Sequence, residues 1–558
     1  MSAAAPTPAG RPAPAVSPAA LHAMLQDGAE IALVDVREEG AFSRNHLLFA
    51  ACVPLSHLEL RIDALVPRRD VRMVLTDGGA GDAGLAQRAA QRLHDLGYTS
   101  VAVLDGGTAA WQAAGYETFS GVNVPSKAFG EFVEHWYETP RLPATEVEAM
   151  RQRGDRFVIL DSRPLAEYRR MSIPGGIDCP GAELVYRVHE MAPDPDTTII
   201  VNCAGRTRSI IGAQSLINAG VPNKVYALKD GTMGWTLAGL TLDHGRDTHA
   251  PPPGDEALAR ARARAAEVAR RFGVQRVDGA TVQRWQDDPR RTTMLLDVRT
   301  EAEYRDGHWP GARHAPGGQL VQATDEYVAT RGARLVLADA PDGVRATMTA
   351  HWLIQLGWSD VHVLVDAPPA PELGMPPATA RPVPVVPAID VATLRAAIDG
   401  GYAPVVVDLA SSLAFRKGHL PGAYWGVRAR MADCLGALTT ARPDALRAPQ
   451  GAAAGQALPA LVLASPDGVL ARLAAHDLAA THPALPVRVL AGGTDAWSAA
   501  GGPLESGLDR TLTDVDDVWW KPYDHAGGAE RAMKEYLDWE VGLVAQIERD
   551  GLARFRRF

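Results

Sequence analysis

One cysteine stands in surroundings that suit covalent chemistry. The segment Cys203-Ala-Gly-Arg-Thr-Arg208-Ser209 follows an apolar run at 199–202 and precedes a helix-like stretch at 209–219. A strand that turns into a helix aims backbone N–H groups and the positive helix end into the turn. Such surroundings lower a cysteine pKa. Arg206 and Arg208 add positive charge that suits an incoming oxyanion such as thiosulfate. We therefore predict a reactive thiolate at Cys203; the alternative is a buried structural cysteine.

The position of Cys203 recurs four times along the chain, which points to internal repeats. Four short apolar runs end in aspartate, at Asp35, Asp161, Asp297 and Asp408. A second apolar run follows each, at 73–76, 199–202, 335–338 and 461–464. The next residue is Asp77, Cys203, Asp339 or Ser465, and in the first three repeats it lies 42 residues after the aspartate. The fourth spacing is 57 residues, which predicts a surface loop insertion at 441–459.

A third marker closes three of the repeats. The sequence Gly-Thr-x-x-Trp ends at Trp111, Trp235 and Trp497, and prolines replace it in the third repeat. An apolar strand precedes each copy, at Val101–Leu104, Val225–Leu228 and Val487–Leu490. Short buried strands that alternate with helical stretches predict a parallel sheet covered by helices. We interpret the tryptophan as structural, packing a helix on that sheet.

These markers together resemble the rhodanese-homology family. The pattern Asp-x-Arg-x-x-x-Glu-Tyr occurs at Asp161/Arg163/Glu167/Tyr168 and at Asp297/Arg299/Glu303/Tyr304. The turns 307–312 and 418–423 are similar to the family's Gly-His-Ile-Pro-Gly-Ala turn. The resemblance implies an α/β chain of four tandem rhodanese-like domains at 17–121, 141–245, 274–370 and 386–505, each with a parallel five-stranded sheet flanked by helices. We expect a disordered tail at 1–16, a helix at Asp255–Phe272 and a helical extension at 510–558.

The family resemblance also implies a function for the turn at Cys203. In this family such a loop cradles a cysteine persulfide, so the expected substrate-binding residues are Ala204, Gly205, Arg206, Thr207, Arg208 and Ser209. The expected activity is a thiosulfate-type sulfurtransferase: Cys203 takes a sulfane sulfur from thiosulfate or an organic persulfide and passes it to cyanide, a thiol or sulfite. A protein donor or acceptor is a further candidate partner. Asp77, Asp339 and Ser465 cannot store sulfur, so we expect catalysis in the second repeat alone.

Two rival functions come from other classes. A cysteine phosphatase, including the related rhodanese-fold phosphatases, needs a Cys-x5-Arg loop, whereas Cys203 and Arg208 form Cys-x4-Arg after Asn202 rather than after histidine. The loop is one residue short, which favours sulfur transfer. Three repeats without cysteine are also compatible with a non-catalytic scaffold or a persulfide carrier.

Composition excludes several other classes. The net charge of −10 argues against nucleic-acid binding, and no apolar run of about 20 residues suggests a membrane span. The first 18 residues lack the apolar region of a signal peptide, so we expect a cytoplasmic protein. We expect no cofactor and no metal, and interpret the GxGxxG match at 79–84 as the degenerate loop of the first repeat. Cys52 and Cys179 are interpreted as small buried side chains, with a resolving thiol for Cys203 as the alternative, and Arg163 as a salt-bridge or loop-orienting residue.

Overall fold

Four parallel β-sheets, one for each repeat, organise the chain in the computed structural model. The structure describes residues 12–82, 84–368, 370–376, 381–401, 404–447, 458–525 and 527–558. The central strands are buried almost throughout, because helices cover both faces of each sheet. The predicted fold class, four rhodanese-like α/β units with a helical C-terminal region, is confirmed.

The first repeat forms a sheet of order β1-β5-β4-β2-β3 in which neighbouring strands run parallel. Its strands are β1 (Ala15–Val16), β2 (Ile31–Asp35), β3 (Ala51–Cys52), β4 (Arg72–Thr76) and β5 (Val101–Leu104). Its helices are α1 (Pro18–Met24), α2 (Glu39–Phe42), α3 (Leu58–Leu65), α4 (Leu85–Asp95) and α5 (Gly107–Ala113), with a 3-10 helix at Leu55–His57. Of the expected disordered tail, residues 1–11 lie outside the described residues. The expectation is wrong at Ala15–Val16, because these residues form a strand that pairs with β5.

The second repeat has the same strand order, β6-β10-β9-β7-β8. Helix α6 (Val124–Tyr137) precedes it, between the expected first and second domains. The strands are β6 (Arg141–Leu142), β7 (Phe157–Asp161), β8 (Gly176–Asp178), β9 (Thr198–Asn202) and β10 (Val225–Leu228). The helices are α7 (Ala144–Arg153), α8 (Leu165–Arg170), α9 (Glu183–Met191), α10 (Thr207–Asn218) and α11 (Gly231–Leu237). Cys203 therefore follows the middle strand, at the point where the chain changes direction across the sheet; ligands of parallel α/β sheets bind at such points.

The third repeat follows the predicted helix α12 (Asp255–Phe272) and has the order β11-β16-β15-β12-β13. The strands are β11 (Gln275–Val277), β12 (Thr293–Asp297), β13 (Arg313–His314), β14 (Thr330–Arg331), β15 (Arg334–Ala338) and β16 (Val361–Leu364). The helices are α13 (Gly279–Gln286), α14 (Glu301–Asp306), α15 (Gly317–Gln322), α16 (Thr324–Tyr327) and α17 (Val344–Gln355). Strand β14 leaves this unit and pairs antiparallel with β2, so the third repeat extends the sheet of the first.

The fourth repeat forms the sheet β17-β21-β20-β18-β19. Its strands are β17 (Ala388–Ile389), β18 (Val405–Asp408), β19 (Tyr424–Trp425), β20 (Leu461–Ala464) and β21 (Val487–Leu490). The helices of this repeat are α18 (Val391–Asp399), α19 (Ser412–Lys417), α20 (Met431–Ala441), α21 (Val469–Thr481) and α22 (Gly493–Ala499), with a 3-10 helix at Arg428–Arg430. The C-terminal extension contains a 3-10 helix at Pro522–Asp524 and the helix α23 (Ala529–Asp550). The predicted loop insertion lies partly outside the described residues, at 448–457.

Buried ion pairs join the repeats in two couples. Arg345 of the third repeat is completely buried and pairs with Glu183 of the second repeat at 3.0 Å. Arg428 of the fourth repeat pairs with Glu59 of the first at 2.8 Å. Removing one partner of a buried pair leaves an uncompensated charge, so these contacts fix how the repeats meet. The second and third repeats therefore share a wall, and the site described next lies beside it.

Candidate active site

Cys203 occupies the turn between β9 and α10, where the sequence places it. Cys203 is 2% exposed, and its thiol lies 3.5 Å from the Ser209 hydroxyl, to which it donates a hydrogen bond. The Ser209 hydroxyl in turn donates to the Arg206 carbonyl at 2.8 Å. The turn is thus closed around the sulfur by its own residues, and the predicted strand, turn and helix are all found.

The Gly-Thr-x-x-Trp marker holds this turn from the neighbouring helix. The backbone N–H groups of Thr232 and Met233, at the start of α11, donate to the carbonyls of Cys203 (2.9 Å) and Ala204 (3.0 Å). Gly231 has φ +54°, and a side chain there would overlap the Cys203 carbonyl. Thr108 and Thr494 make the corresponding bond to Asp77 (2.8 Å) and Ser465 (3.1 Å). The predicted tryptophan packing is confirmed, because Trp111, Trp235 and Trp497 are buried. The marker also has a second role that the sequence did not reveal.

The Asp-x-Arg pair lies beneath the turn and is structural. Arg163 is 1% exposed and binds Asp161 at 2.7 Å. Asn202 donates to the same carboxylate at 2.8 Å, and its own carbonyl accepts from the Ser162 hydroxyl at 2.8 Å. The interpretation of Arg163 as a salt-bridge residue is confirmed, and its partner is Asp161. This network fixes the end of β9, the strand from which Cys203 projects.

Arg208 is the loop arginine that faces open space beside the thiol. It donates to Glu167 at 2.8 Å and to Gln319 of the third repeat at 3.3 Å. Lys521 from the C-terminal extension also reaches Glu167, at 3.3 Å. Although burial opposes it, the charges of Arg208 and Lys521 lower the pKa of Glu167 to about 2. Glu167 is therefore a fixed negative charge that holds both cations in place.

The Arg206 side chain, which we expected to bind substrate, is paired with carboxylates of the protein. Its guanidinium is 7% exposed and pairs with Glu131 at 2.6 Å, with Glu134, and with Asp230 at 3.3 Å. Although burial opposes it, the hydrogen bond to Glu131 raises the pKa of Arg206. Three carboxylates already surround this cation, so it is not available to an anion at Cys203. The sequence could not distinguish Arg206 from Arg208, because neither Glu131 nor Glu134 is near them in the chain.

The C-terminal helix α23 covers the rest of the loop, which sequence reasoning missed. Tyr536 and Glu540 lie against Gly205: a Cβ at Gly205 would stand 3.2 Å from atoms of both. The Thr207 hydroxyl donates to a Glu540 carboxylate oxygen at 3.2 Å, and the Tyr536 hydroxyl donates to the same oxygen at 2.9 Å. The other Glu540 oxygen is buried without a hydrogen-bond partner in the described structure. No motif in the extension marks these residues as neighbours of position 203.

The pKa of Cys203 is raised, whereas the sequence led us to expect a lowered value. Burial raises the pKa of the thiol, and the charge of Arg208 and the hydrogen bonds with the Ser209 side chain and backbone only partly oppose this effect. The Glu540 carboxylate adds to the increase. The expectation failed because a short sequence shows the donors within the loop, whereas the covering helix comes from more than 300 residues away.

A cavity of about 260 Å³ opens beside the loop. Ala204, Arg208 and Met233 of the second repeat form one side of it. The rest of the lining consists of Glu39, Val122, Asn123, Lys127, Glu167, Gln319, Gln322, Ala323, Glu326, Trp519, Lys521, Pro522, Tyr523 and Tyr536. We call this cavity the chamber. Repeats without cysteine thus contribute walls to the space next to Cys203.

The three other repeats fill the cysteine position with side chains that bind their own loops. Asp77 accepts from the N–H groups of Gly79 (2.9 Å) and Ala86 (3.0 Å). Asp339 accepts from Ala346 N–H at 2.9 Å and pairs with Arg345 at 2.9 Å. Ser465 accepts from Ala471 N–H at 3.3 Å. The backbone donors that would face a sulfur are therefore already occupied in these loops.

The other three cysteines are free thiols and lie outside the 203–209 loop in the sequence. Cys179 and Cys434 are buried and Cys52 is partly buried, and burial raises the pKa of all three. This matches the interpretation of Cys52 and Cys179 as small core residues. In the described part of the chain, no helix is both long and apolar enough to cross a membrane.

Comparisons with known proteins agree with this architecture. The rhodanese-like domain family matches residues 17–114, 143–238 and 279–366. The crystal structure of a thiosulfate sulfurtransferase from Pseudomonas aeruginosa is 48% identical, with a TM-score of 0.89 over 97% of this chain and 99% of that one. The HTH-type transcriptional regulator Rv0324 from Mycobacterium tuberculosis is 34% identical over 108 residues, 19% of this chain and 47% of that protein, so the chain spans about half the length of this curated relative.

A third match is only distantly similar. The Alr3790 protein from Anabaena sp. is 24% identical over 19% of this chain and 91% of its own length, with a TM-score of 0.18. The family match covers half of the chain, and the long structural match extends the same architecture to the fourth sheet. The chain belongs to the rhodanese-like domain family, with four units in tandem.

Proposed function

We propose that this chain is a rhodanese-type sulfurtransferase that carries sulfane sulfur as a persulfide on Cys203. One observation supports this most strongly: in four loops of the same construction, the second alone has a sulfur atom at the position that the loop encloses, with Arg208 and the chamber beside it. The similarity to a protein named thiosulfate sulfurtransferase over nearly the whole chain supports the same activity. The loop residues from Ala204 to Ser209, apart from the Arg206 guanidinium, form the immediate binding site.

The proposed sulfur transfer has two steps. The Cys203 thiolate attacks the outer sulfur of thiosulfate, the S–S bond of the donor breaks, and sulfite leaves with the electron pair. Cys203 then holds a persulfide, whose outer sulfur is attacked by cyanide, sulfite or a thiolate; the electron pair returns to Cys203. A covalent intermediate of this kind predicts ping-pong kinetics. An organic persulfide serves as donor by the same steps, with a thiolate leaving.

Ionisation of Cys203 is the demanding part of the first step, since the thiolate is the nucleophile. Arg208 and Ser209 favour the ionised form, while burial and the Glu540 carboxylate oppose it. Free cysteines throughout the chain suit a reducing compartment, so we place the protein in the cytoplasm. Small sulfur compounds are the expected partners, with a protein donor or acceptor as an extension of the same chemistry.

Mass spectrometry of the intact protein after incubation with thiosulfate tests the proposal. We expect an added mass of about 32 Da, one sulfur atom, on the peptide containing Cys203. Thiocyanate formation from thiosulfate and cyanide should disappear in Cys203→Ala and persist in Cys434→Ala, a matched change at another buried thiol. A Cys203→Ala protein with the wild-type rate would refute the assignment.

A non-catalytic scaffold or persulfide carrier is the second candidate. The low exposure of Cys203 and the occupied loops of three repeats favour it. Turnover separates the two functions: a carrier accepts one sulfur for each chain and stops, whereas an enzyme forms many equivalents of thiocyanate. A Cys203→Ser strain with unchanged growth on sulfur compounds would favour the scaffold.

A further inference from the structure

One oxygen of a buried carboxyl group beside the active loop has no partner. Glu540 is 1% exposed, and its Oε1 accepts hydrogen bonds from the hydroxyl groups of Thr207 (3.2 Å) and Tyr536 (2.9 Å). Within the ranges that the structure describes, its Oε2 is buried and accepts no hydrogen bond. Buried polar atoms of folded proteins almost always have a partner, so an unpartnered atom at an active loop indicates that a ligand or a reaction intermediate supplies one.

This oxygen faces the loop that carries the sulfur. Gly205 has no side chain, and a Cβ there would stand 3.2 Å from Glu540 Oε2. Burial raises the pKa of both the Cys203 thiol and the Tyr536 hydroxyl, and the Glu540 carboxylate adds to both increases. The resting thiol donates to the Ser209 hydroxyl at 3.5 Å, so Glu540 is not its partner before sulfur is loaded. A persulfide extends the Cys203 side chain by one S–S bond of about 2 Å and places a second sulfur within the turn.

The ionisation of Glu540 is balanced close to neutral pH. Burial raises its pKa to about 7, the charge of Lys127 opposes this increase, and the charge of Glu131 adds to it. The titratable and charged groups around this carboxyl are Lys127 and Glu131 on α6, Cys203 and Arg206 in the loop, and Tyr536 on α23, with Arg208 and Lys521 acting on Tyr536 and Lys127. A further negative charge nearby raises the pKa of a carboxyl group again, because a like charge disfavours the ionised form. A persulfide anion on Cys203 is such a charge.

We propose that Glu540 is a catalytic residue that takes up one proton when the Cys203 persulfide forms, and that its Oε2–H then donates a hydrogen bond to the outer sulfur. The inference rests on the proposed function and assigns the group that holds the proton during the cycle. Before loading, Cys203 is a thiol and Glu540 a carboxylate. As the S–S bond of thiosulfate breaks and sulfite leaves with the electron pair, the negative charge stays on the persulfide and the proton of the thiol ends on Glu540.

The hydrogen bond from Glu540 prepares the outer sulfur for the second step. An anionic acceptor such as cyanide is repelled by an anionic persulfide, and an O–H donor fixed at the outer sulfur offsets part of that charge. When the acceptor attacks the outer sulfur, the S–S bond of the persulfide breaks and the electron pair returns to Cys203. The proton then returns from Glu540 to the thiol. The complete cycle therefore neither consumes nor releases a proton at these two groups.

Proton counting during sulfur loading tests the proposal on the full-length protein. Thiosulfate is added at about pH 8 in weak buffer with a pH indicator, and at this pH the resting Glu540 is ionised because its pKa is about 7. The count is corrected for the resting ionisation of Cys203, taken from the pH dependence of its alkylation. Glu540→Gln cannot take up a proton, so it should release about one proton more than wild type for each sulfur loaded. Glu535→Gln, an exposed change on the same helix, is the matched control and should behave as wild type. Equal proton release by Glu540→Gln and wild type would overturn the proposal.

Infrared difference spectra of the wild-type protein give a readout that needs no variant. Spectra of loaded and unloaded protein are compared at the same pH. Loading should add the C=O band of one protonated carboxyl group and remove the bands of one carboxylate, and Glu540→Gln should show neither change. If no protonated carboxyl group appears on loading, the proposal is wrong, whether or not the variant folds.

A second substitution tests the hydrogen bond itself. Glu540→Gln keeps an N–H donor at this position, whereas Glu540→Met has none. Once loaded, Glu540→Met should be discharged by cyanide about 10-fold or more slowly than Glu540→Gln, the scale of a hydrogen bond to a charged group. Equal discharge rates would overturn the assigned hydrogen bond, and if Glu540→Met does not fold, the infrared spectra of wild type decide.

The outcomes separate this inference from the function on which it rests. Failure of wild-type Cys203 to gain a sulfur atom would refute the proposed sulfur transfer. Normal loading and discharge, with no proton uptake and no new carboxyl band, would refute the role of Glu540 alone.

Discussion

The two arginines of the active loop should have separable effects, although their sequence contexts are alike. Arg208 lines the chamber and donates to Glu167 at 2.8 Å, whereas Arg206 is enclosed by Glu131, Glu134 and Asp230. Arg208→Gln removes a charge that faces the anionic donor and favours the Cys203 thiolate. Charge-assisted hydrogen bonds contribute about 1.5–3 kcal/mol, so kcat/KM for thiosulfate should fall by about 10- to 150-fold. Stability should change little, since Lys521 remains 3.3 Å from Glu167.

Arg206→Gln should give the reverse pattern. It leaves Glu131, whose side chain is 4% exposed, without its cation. Breaking a buried pair in this way costs about 3–5 kcal/mol, so Tm should fall by several degrees. At a temperature well below Tm, kcat/KM should stay within about three-fold of wild type, because the Arg206 guanidinium does not face the chamber. Glu131→Gln combined with Arg206→Gln should recover part of Tm by removing the orphaned charge.

Thermal unfolding and steady-state kinetics on the same preparations decide between these patterns. Thiocyanate formation is measured with thiosulfate varied and cyanide saturating, and unfolding is followed by circular dichroism. The reasoning is refuted if Arg206→Gln loses as much kcat/KM as Arg208→Gln while its Tm is unchanged. It is equally refuted if Arg208→Gln unfolds early and keeps full activity.

Three further predictions follow from the geometry of the loop. Because burial raises the pKa of Cys203, the rate of persulfide formation should continue to rise with pH above neutrality instead of levelling off. Glu540→Gln removes a carboxylate that adds to this increase, so it should shift the rise in rate to lower pH. The pH dependence of Cys203 alkylation by iodoacetamide checks both expectations. Gly231→Ala should lower Tm and prevent sulfur loading, since the new methyl group overlaps the Cys203 carbonyl. Gly239→Ala is the control: it also lies at positive φ, but its new methyl group has no atom within 4 Å, so it should show only the effect of backbone strain. Ser465→Cys should add no sulfur-loading site, because the loop of the fourth repeat has no arginine beside that position. The intact mass of this variant after thiosulfate treatment should therefore show one added sulfur atom, not two.

The repeats without cysteine contribute to the site from outside the catalytic unit. Gln319 and Glu326 come from the third repeat and Glu39 from the first, and all three line the chamber. The second repeat alone supplies the sulfur and the loop, but its active face is completed by its neighbours and by α23. The first and third repeats, which have no cysteine at this position, thus have a physical role as walls of the chamber.

The sequence by itself determined the repeated α/β unit and the position of the reactive sulfur. Apolar runs that end at Asp161 and Asn202 specify adjacent buried strands, and a turn followed by a helix specifies the loop of Cys203, because strand burial and helix initiation are local properties of the chain. The structural role of Trp235 and the pair between Asp161 and Arg163 followed from the same local patterns. So did helix α12, which begins and ends at the predicted residues.

Only the tertiary structure decided what surrounds the sulfur. Lys127, Glu131 and Glu540 lie about 70 to 340 residues from Cys203 in the chain, yet they set the charge, the exposure and the walls of its surroundings. Local sequence therefore treated Arg206 and Arg208 alike and predicted a lowered pKa for Cys203. In the folded protein the two arginines have different partners, and burial raises the pKa of Cys203. The physical reason is that Coulomb and desolvation energies depend on distance and burial in the folded protein, and neither quantity is encoded in the residues next to the cysteine.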